Sequence, residues 1–214
     1  QGLAIGFEPI PEFYERLRAQ CEQTMFFHAP RIRLFGAALS DRVGRVKFNW
    51  SRTRPAMSGL QRREDIGEDP DFVVVDVETV KIDDVIASEG GGRRCGFIKL
   101  DLEGAEYHAL LGARSTLREA RPIVGFEFGQ ASAADLYGYT KDDFFSFWSS
   151  LDYELMDTFG TPYGESNWND GFNFGYDFWA APKERRFQQE LKTFLPASVD
   201  AILQAGTNSF FDSK

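Results

Sequence analysis

Short apolar runs alternate along this chain with segments of helical period, and that alternation restricts the fold more than any other feature. Leu3 to Phe7, Ile32 to Leu39, Phe97 to Leu102 and Ile123 to Phe128 each read as a buried strand. Between them, Pro11 opens a helix with Phe13, Leu17 and Cys21 four residues apart, and Ile82 to Ala87 reads as a short helix before a glycine tract. A further helix carries Leu110, Leu111, Ala113 and Leu117 and stops at Pro122. Strands that alternate with covering helices over short connections predict an α/β fold, a mainly parallel sheet with helices on both faces.

The remaining segments fit that plan. Val46 to Trp50 and Phe72 to Val80 read as extended, and the polar stretch from Ser51 to Asp71 between them reads as a long surface loop able to touch a substrate. Thr140 and Asp143 have capping-box spacing ahead of a helix with Phe144, Phe145, Trp148 and Leu151 on one face. Tyr153 to Phe159 and Phe174 to Ala181 read as two late strands, with a loop from Gly160 to Asn173 carrying Trp168 between them. Residues 1–182 form one domain in this reading, and residues 183–214, with Phe187, Leu191 and Leu195 at helical spacing, form its C-terminal helical tail.

Composition narrows the partners. The 24 basic residues against 33 acidic ones leave a net charge of −9, which disfavours a nucleic-acid partner. No apolar run is long enough to suggest a membrane span, and no export signal is visible, so the expected compartment is the cytoplasm and no membrane partner is expected. Cys21 and Cys95 are far apart in apolar surroundings and read as buried free thiols. With only His28 and His108 as histidines, a zinc site or a Ser-His-Asp triad is not expected, and no metal ligand is assigned.

Ligands of open α/β sheets bind beyond the carboxyl ends of strands, so the residues there are the site candidates. Glu8 follows the first strand, where a carboxylate can accept the hydroxyl hydrogens of a ribose; a plain surface glutamate is the alternative. Leu39, Ser40 and Asp41 follow the second, an apolar surface with a hydroxyl and a carboxylate suited to an adenine face and its amine, or to an ordinary turn. The densest group is Asp101, Glu103 and Glu106, three carboxylates in six positions around Gly104; the competing reading is a helix start with a turn acceptor. Glu127 adds a carboxylate at the end of the next strand. No Gly-Lys-Ser/Thr phosphate loop and no Gly-x-Gly-x-x-Gly after a strand is found.

Four segments, GFEPIPEFYERL at 6–17, AALSDRVGRVKF at 37–48, IKLDLEGAEYHALLGA at 98–113 and RPIVGFEF at 121–128, together resemble the FkbM family of methyltransferases. The resemblance covers about the first 180 residues. It implies a Rossmann-like class I methyltransferase fold, S-adenosylmethionine (SAM) as methyl donor, and a small-molecule or glycan acceptor methylated on oxygen, typically a sugar or natural-product-like compound. By position Glu8 resembles the family's ribose-binding acid, Leu39, Ser40 and Asp41 its adenine-side turn, and Asp101 to Glu106 the motif at the methyl-transfer end, where Asp101 or Glu103 would orient or deprotonate the acceptor with Glu106 in support. The family's first strand and glycine loop have no counterpart ahead of Leu3, so the first strand and helix of the fold, at least a βαβ unit's worth of chain, are expected to be missing from this sequence. Two rival readings are a catalytically inactive binding or scaffolding protein on the same fold, and a nicotinamide dehydrogenase supported by Glu8 alone.

Overall fold

The computed structural model describes residues 2–24, 31–62, 71–170, 174–185 and 187. Strand β1 (Ala4–Phe7) leads through Pro11, at the first position of helix α1 (Pro11–Thr24), to β2 (Ile32–Phe35). The run Ile32 to Leu39 is two strands, because the chain breaks at Gly36 before β3 (Ala37–Leu39). Tyr14 packs over Gly36, where an added Cβ would lie 3.5 Å from its ring. Leu17 is 37% exposed, so Phe13 and Tyr14 rather than the four-residue repeat carry the covering face of α1.

β4 (Gly44–Ser51) and β5 (Phe72–Val80) form a long antiparallel pair, and β3 adds in parallel on the other side of β5. Helix α2 (Ile82–Glu89) and β6 (Phe97–Leu100) follow. The helix expected before Pro122 is two short ones, α3 (Glu106–Leu111) and α4 (Arg114–Glu119), separated at Gly112. β7 (Ile123–Glu127), α5 (Gln130–Tyr137), α6 (Lys141–Ser150), β8 (Tyr153–Asp157) and β9 (Asp177–Pro182) complete the described strands and α-helices. The capping box is present at α6: Asp143 N–H donates to Thr140 Oγ1 at 3.1 Å and Thr140 N–H to Asp143 Oδ2 at 2.9 Å.

The described strands form three sheets, in orders β1-β2, β3-β5-β4 and β6-β7-β9-β8. β1-β2, β3-β5 and β6-β7 are parallel, while β4-β5, β7-β9 and β8-β9 are antiparallel. The expectation of a mainly parallel sheet is thereby corrected to mixed sheets. An apolar run that is buried on both faces specifies burial but not direction, so the sequence could not separate β9 from a parallel strand.

The core lies between β6, β7, β9 and the helices over them. Phe128 stacks on Phe144 at 4.2 Å between centroids and 8° between planes, and Phe126 stacks on Trp148 at 5.8 Å. Trp168 is 8% exposed and sits 5.6 Å from Phe128, so it belongs to this core. Cys21 and Cys95 are free but only partly covered, which corrects the expectation of buried thiols. Beyond Lys183–Arg185, a short 3-10 turn, only Phe187 of the expected tail is described, packed 5.7 Å from Trp179; the rest lies outside the described residues. No described helix is long and apolar enough to cross a membrane.

Candidate active site

The carboxyl ends of β1, β3 and β6 face one cavity of about 340 Å³, a size suited to a small-molecule ligand. Ile10, Phe13 and Leu39 give it apolar walls, and Glu8, Asp101 and Glu103 bring carboxylates to its lining. Three segments far apart in sequence therefore meet around one space, as the strand-end argument requires.

Glu8 stands just past β1, whose ladder continues through Glu8 N–H donating to Phe35 O at 3.0 Å. Its Oε1 accepts the Ile10 N–H at 2.8 Å, which fixes the carboxylate against the cavity. Burial pushes the Glu8 carboxyl above its ordinary range, with the Ile10 N–H pulling it back down.

The Ser40–Asp41 turn continues from Leu39 and lies beside the cavity rather than in its lining. Ser40 Oγ donates to Asp41 Oδ1 at 3.2 Å, and Arg42 Nε donates to Asp41 Oδ2 at 3.2 Å. His108 approaches the same carboxylate, with Nδ1 3.6 Å from Oδ1.

The segment after β6 is a strained turn. Glu103 has φ 54° and Gly104 φ 101°, so the backbone enters the left-handed region at two successive residues. Tyr137 holds it from above: its hydroxyl donates to Glu103 O at 3.3 Å, and its ring would stand 2.8 Å from a Cβ added at Gly104. Glu106 holds it from below, with Oε1 accepting Leu102 N–H at 2.6 Å and Gly104 N–H at 3.4 Å. At 2% exposure Glu106 is almost wholly buried, and desolvation raises its carboxyl to about 7 against the pull of those N–H groups. Glu106 is thus the brace of the turn, while Asp101 and Glu103 reach the cavity.

Glu127, at the end of β7, joins them: carboxylate oxygens of Asp101, Glu103 and Glu127 all lie within 4.8 Å of one another. Desolvation, then a hydrogen bond to Asp101, then the negative charges of Asp101, Glu103 and Glu106 raise the Glu127 carboxyl to about 7. Like charges at this spacing are relieved by a shared proton or a nearby cation, and three such oxygens could also serve a hard metal ion. Lys99 supplies part of the relief, with Nζ 3.6 Å from Asp101.

Of the eight sequence candidates, Glu8, Leu39, Asp101 and Glu103 line one cavity, Glu127 joins the carboxylates of Asp101 and Glu103, Glu106 holds their turn, and Ser40 and Asp41 lie beside the cavity. Sequence reading overlooked Tyr137 and His108. Tyr137 sits on α5, a helix whose residues QASAADLY carry no clear apolar period, so nothing marked it. His108 was visible at four residues before Gly112, but its partner Asp41 lies 67 positions away in sequence and is brought near only by the fold.

The methyltransferase FkbM domain matches residues 1–155. The 2-O-methyltransferase NoeI of Sinorhizobium fredii (strain NBRC 101917 / NGR234) is 30% identical over 141 residues, 61% of this chain and 54% of that protein. The chain therefore spans about half the length of this curated relative. The crystal structure of methyltransferase FkbM from Methylobacillus flagellatus KT superposes with a TM-score of 0.50 at 19% identity, over 84% of this chain and 36% of that one, which supports the fold. With the family's domain matching residues 1–155 of 214, the chain belongs to the FkbM methyltransferase family.

Proposed function

We propose that this chain belongs to a SAM-dependent O-methyltransferase acting on a sugar or natural-product-like small molecule. The observation that carries the reading is the meeting of Glu8, the apolar wall at Leu39, and the Asp101–Glu103 turn around one cavity. The donor set fits the cofactor: Glu8 suits a ribose diol, Leu39 and the neighbouring Ser40–Asp41 turn suit an adenine, and the carboxylates of Asp101, Glu103 and Glu127 suit a sulfonium charge. The printed name of the relative, a 2-O-methyltransferase, supports oxygen as the acceptor atom.

When bound, SAM supplies a methyl group on a good leaving group, so the protein's task is alignment and proton removal. Asp101 and Glu103 are placed to orient an acceptor hydroxyl and take its proton, and Glu106 keeps their turn in shape through the Leu102 and Gly104 N–H groups. The acidic rim and the net charge of −9 favour a neutral or cationic acceptor over a phosphorylated one.

The test is made on the full-length protein with labelled SAM and a panel of hydroxylated acceptors. Asp101→Asn or Glu103→Gln should lower turnover about a hundredfold or more in at least one of the two, with SAM affinity within a few fold. Binding of NAD in place of SAM would turn the reading to a dehydrogenase, binding of neither to a scaffold, and wild-type turnover in both variants would remove the pair from the chemistry.

A further inference from the structure

The polar side chains that line the cavity are unevenly matched. Glu8, Asp101 and Glu103 as carboxylates only accept hydrogen bonds, and Ser58 alone brings a neutral hydroxyl that can donate. Ser58 comes from the connection between β4 and β5, directly after a 3-10 turn at Pro55–Met57.

That hydroxyl is held in place. Ser58 is 7% exposed, its Oγ accepts Ser51 N–H at 3.1 Å, and its own N–H donates to Pro55 O at 3.1 Å. The next residue is tied down as well: Asn49 N–H donates to Gly59 O at 2.9 Å, and Gly59 N–H returns to Asn49 O at 3.0 Å. Gly59 also lies against the turn after β6. A Cβ added there would stand 3.6 Å from Glu103 Cβ and 3.4 Å from the Tyr137 hydroxyl, the same hydroxyl that donates to Glu103 O. The Ser58 segment and Glu103 are therefore fixed relative to each other. One lone pair of Ser58 Oγ is committed to Ser51, and among the described residues no acceptor is recorded for its hydrogen, which leaves the O–H for a ligand in the cavity.

A hydroxyl oxygen carries one hydrogen and two lone pairs. With its hydrogen on Asp101 or Glu103 and one lone pair accepting from Ser58, one lone pair remains to attack a methyl group. A neutral amine nitrogen has a single lone pair, and a hydrogen bond from Ser58 occupies it. We infer, resting on the O-methyltransferase reading, that Ser58 is a specificity-determining residue for the acceptor: its O–H orients the attacking oxygen and selects hydroxyls over amines. In the step the acceptor oxygen bonds the methyl carbon as the carbon–sulfur bond breaks, the electron pair of that bond stays on sulfur as a neutral thioether, and the hydroxyl proton passes to the carboxylate.

The test uses the full-length protein, labelled SAM, and methyl hexopyranosides paired with the matched methyl aminohexopyranosides, at about pH 8.5 where such an amine is mostly uncharged. Mass spectrometry assigns the methylated atom. Wild type should methylate oxygen and leave nitrogen almost untouched. Ser58→Ala should lower kcat/KM for oxygen about tenfold without lowering transfer to nitrogen, whereas a purely structural change lowers both alike. Ser58→Thr, which keeps the hydroxyl, should restore the ratio. Where Ser58→Ala does not fold, Ser58→Cys replaces it, since a thiol still accepts weakly and is a poor donor. Hexopyranoside binding, followed by NMR with S-adenosylhomocysteine present, should weaken several fold in the same variant while S-adenosylhomocysteine affinity holds. An unchanged oxygen-to-nitrogen ratio, unchanged hexopyranoside binding, or a wild type that methylates nitrogen as readily as oxygen overturns the inference alone. A wild type that methylates no hydroxyl overturns it together with the O-methyltransferase reading.

Discussion

At the scale of single residues, Glu106 carries the sharpest conflict in the site, a carboxyl 2% exposed that must still accept two backbone N–H groups. Its value in the folded protein, about 7, stands above the ordinary 4.5, so folding favours the protonated form. The stability this contributes is complete below about pH 4.5 and is lost as pH rises through about 7. Glu106→Gln keeps the accepting oxygen and cannot ionise. Its melting temperature relative to wild type should therefore move in the variant's favour between about pH 5 and pH 8, and a difference that does not change with pH would mean that this carboxyl is solvated. Glu8 makes a separate forecast. Its Oε1 is anchored by the Ile10 N–H at 2.8 Å, so the carboxylate meets the cavity already oriented. Glu8→Ala should weaken SAM binding by about 1.5 to 3 kcal/mol, read by calorimetry, and leave acceptor affinity almost unchanged. An unaltered SAM dissociation constant would return Glu8 to the surface.

At the scale of elements, the site depends on close contacts that only the folded chain creates. Ser40 O rests on the end of α3 because Gly112 has no side chain there, and a methyl group would have to move the turn or the helix. Gly112→Ala should lower stability by roughly 1 to 3 kcal/mol and weaken SAM binding several fold, whereas Gly96→Ala, where an added Cβ meets nothing within 4 Å, should stay within about 0.5 kcal/mol of wild type by denaturant titration. Equal behaviour of the two variants would show that the Ser40–Asp41 turn is free to shift. The same elements mark what the sequence could and could not reveal. Strands β1, β6 and β7 and the Thr140 cap were legible because apolar runs and cap spacing are local signals. The break between α3 and α4 was not, since Leu110, Leu111, Ala113 and Leu117 keep one apolar pattern through Gly112. Helix α5 escaped because its buried stripe is made of Gln130, Ala133, Ala134 and Tyr137, one polar residue and two small ones among them rather than large apolar residues, and its first residue, Gln130, has φ 52°. The Glu127 carboxylate was visible at a strand end, but its place within 4.8 Å of Asp101 and Glu103 follows from the parallel β6-β7 register, which no local pattern specifies.

At the scale of the whole molecule, the described sheets leave a cleft where one continuous sheet would be expected. Among the described strands β1 pairs only with β2, and β6 only with β7. The cleft of about 450 Å³ is lined by Leu3, Ile5 and Phe7 from one side and by Phe97, Ile98 and Leu100 from the other, above Val85 of α2. Extended backbone with unpaired N–H and C=O groups next to an apolar floor is the surface that accepts another strand. The expected occupant is an extended segment of the full-length protein, which would join the sheets through β1 and β6 and bring backbone N–H groups to the end of the cavity near Asp101. This sequence spans 54% of NoeI and 36% of the Methylobacillus enzyme. Hydrogen exchange read by mass spectrometry separates the alternatives. In the full-length protein the amides of Ala4–Phe7 and Phe97–Leu100 should exchange slowly and together, while in the 214-residue piece they should exchange much faster and SAM affinity should fall well below that of the longer chain. Equal protection and equal SAM affinity in both proteins would show that the cleft takes no strand and that the cofactor site is built from these residues alone.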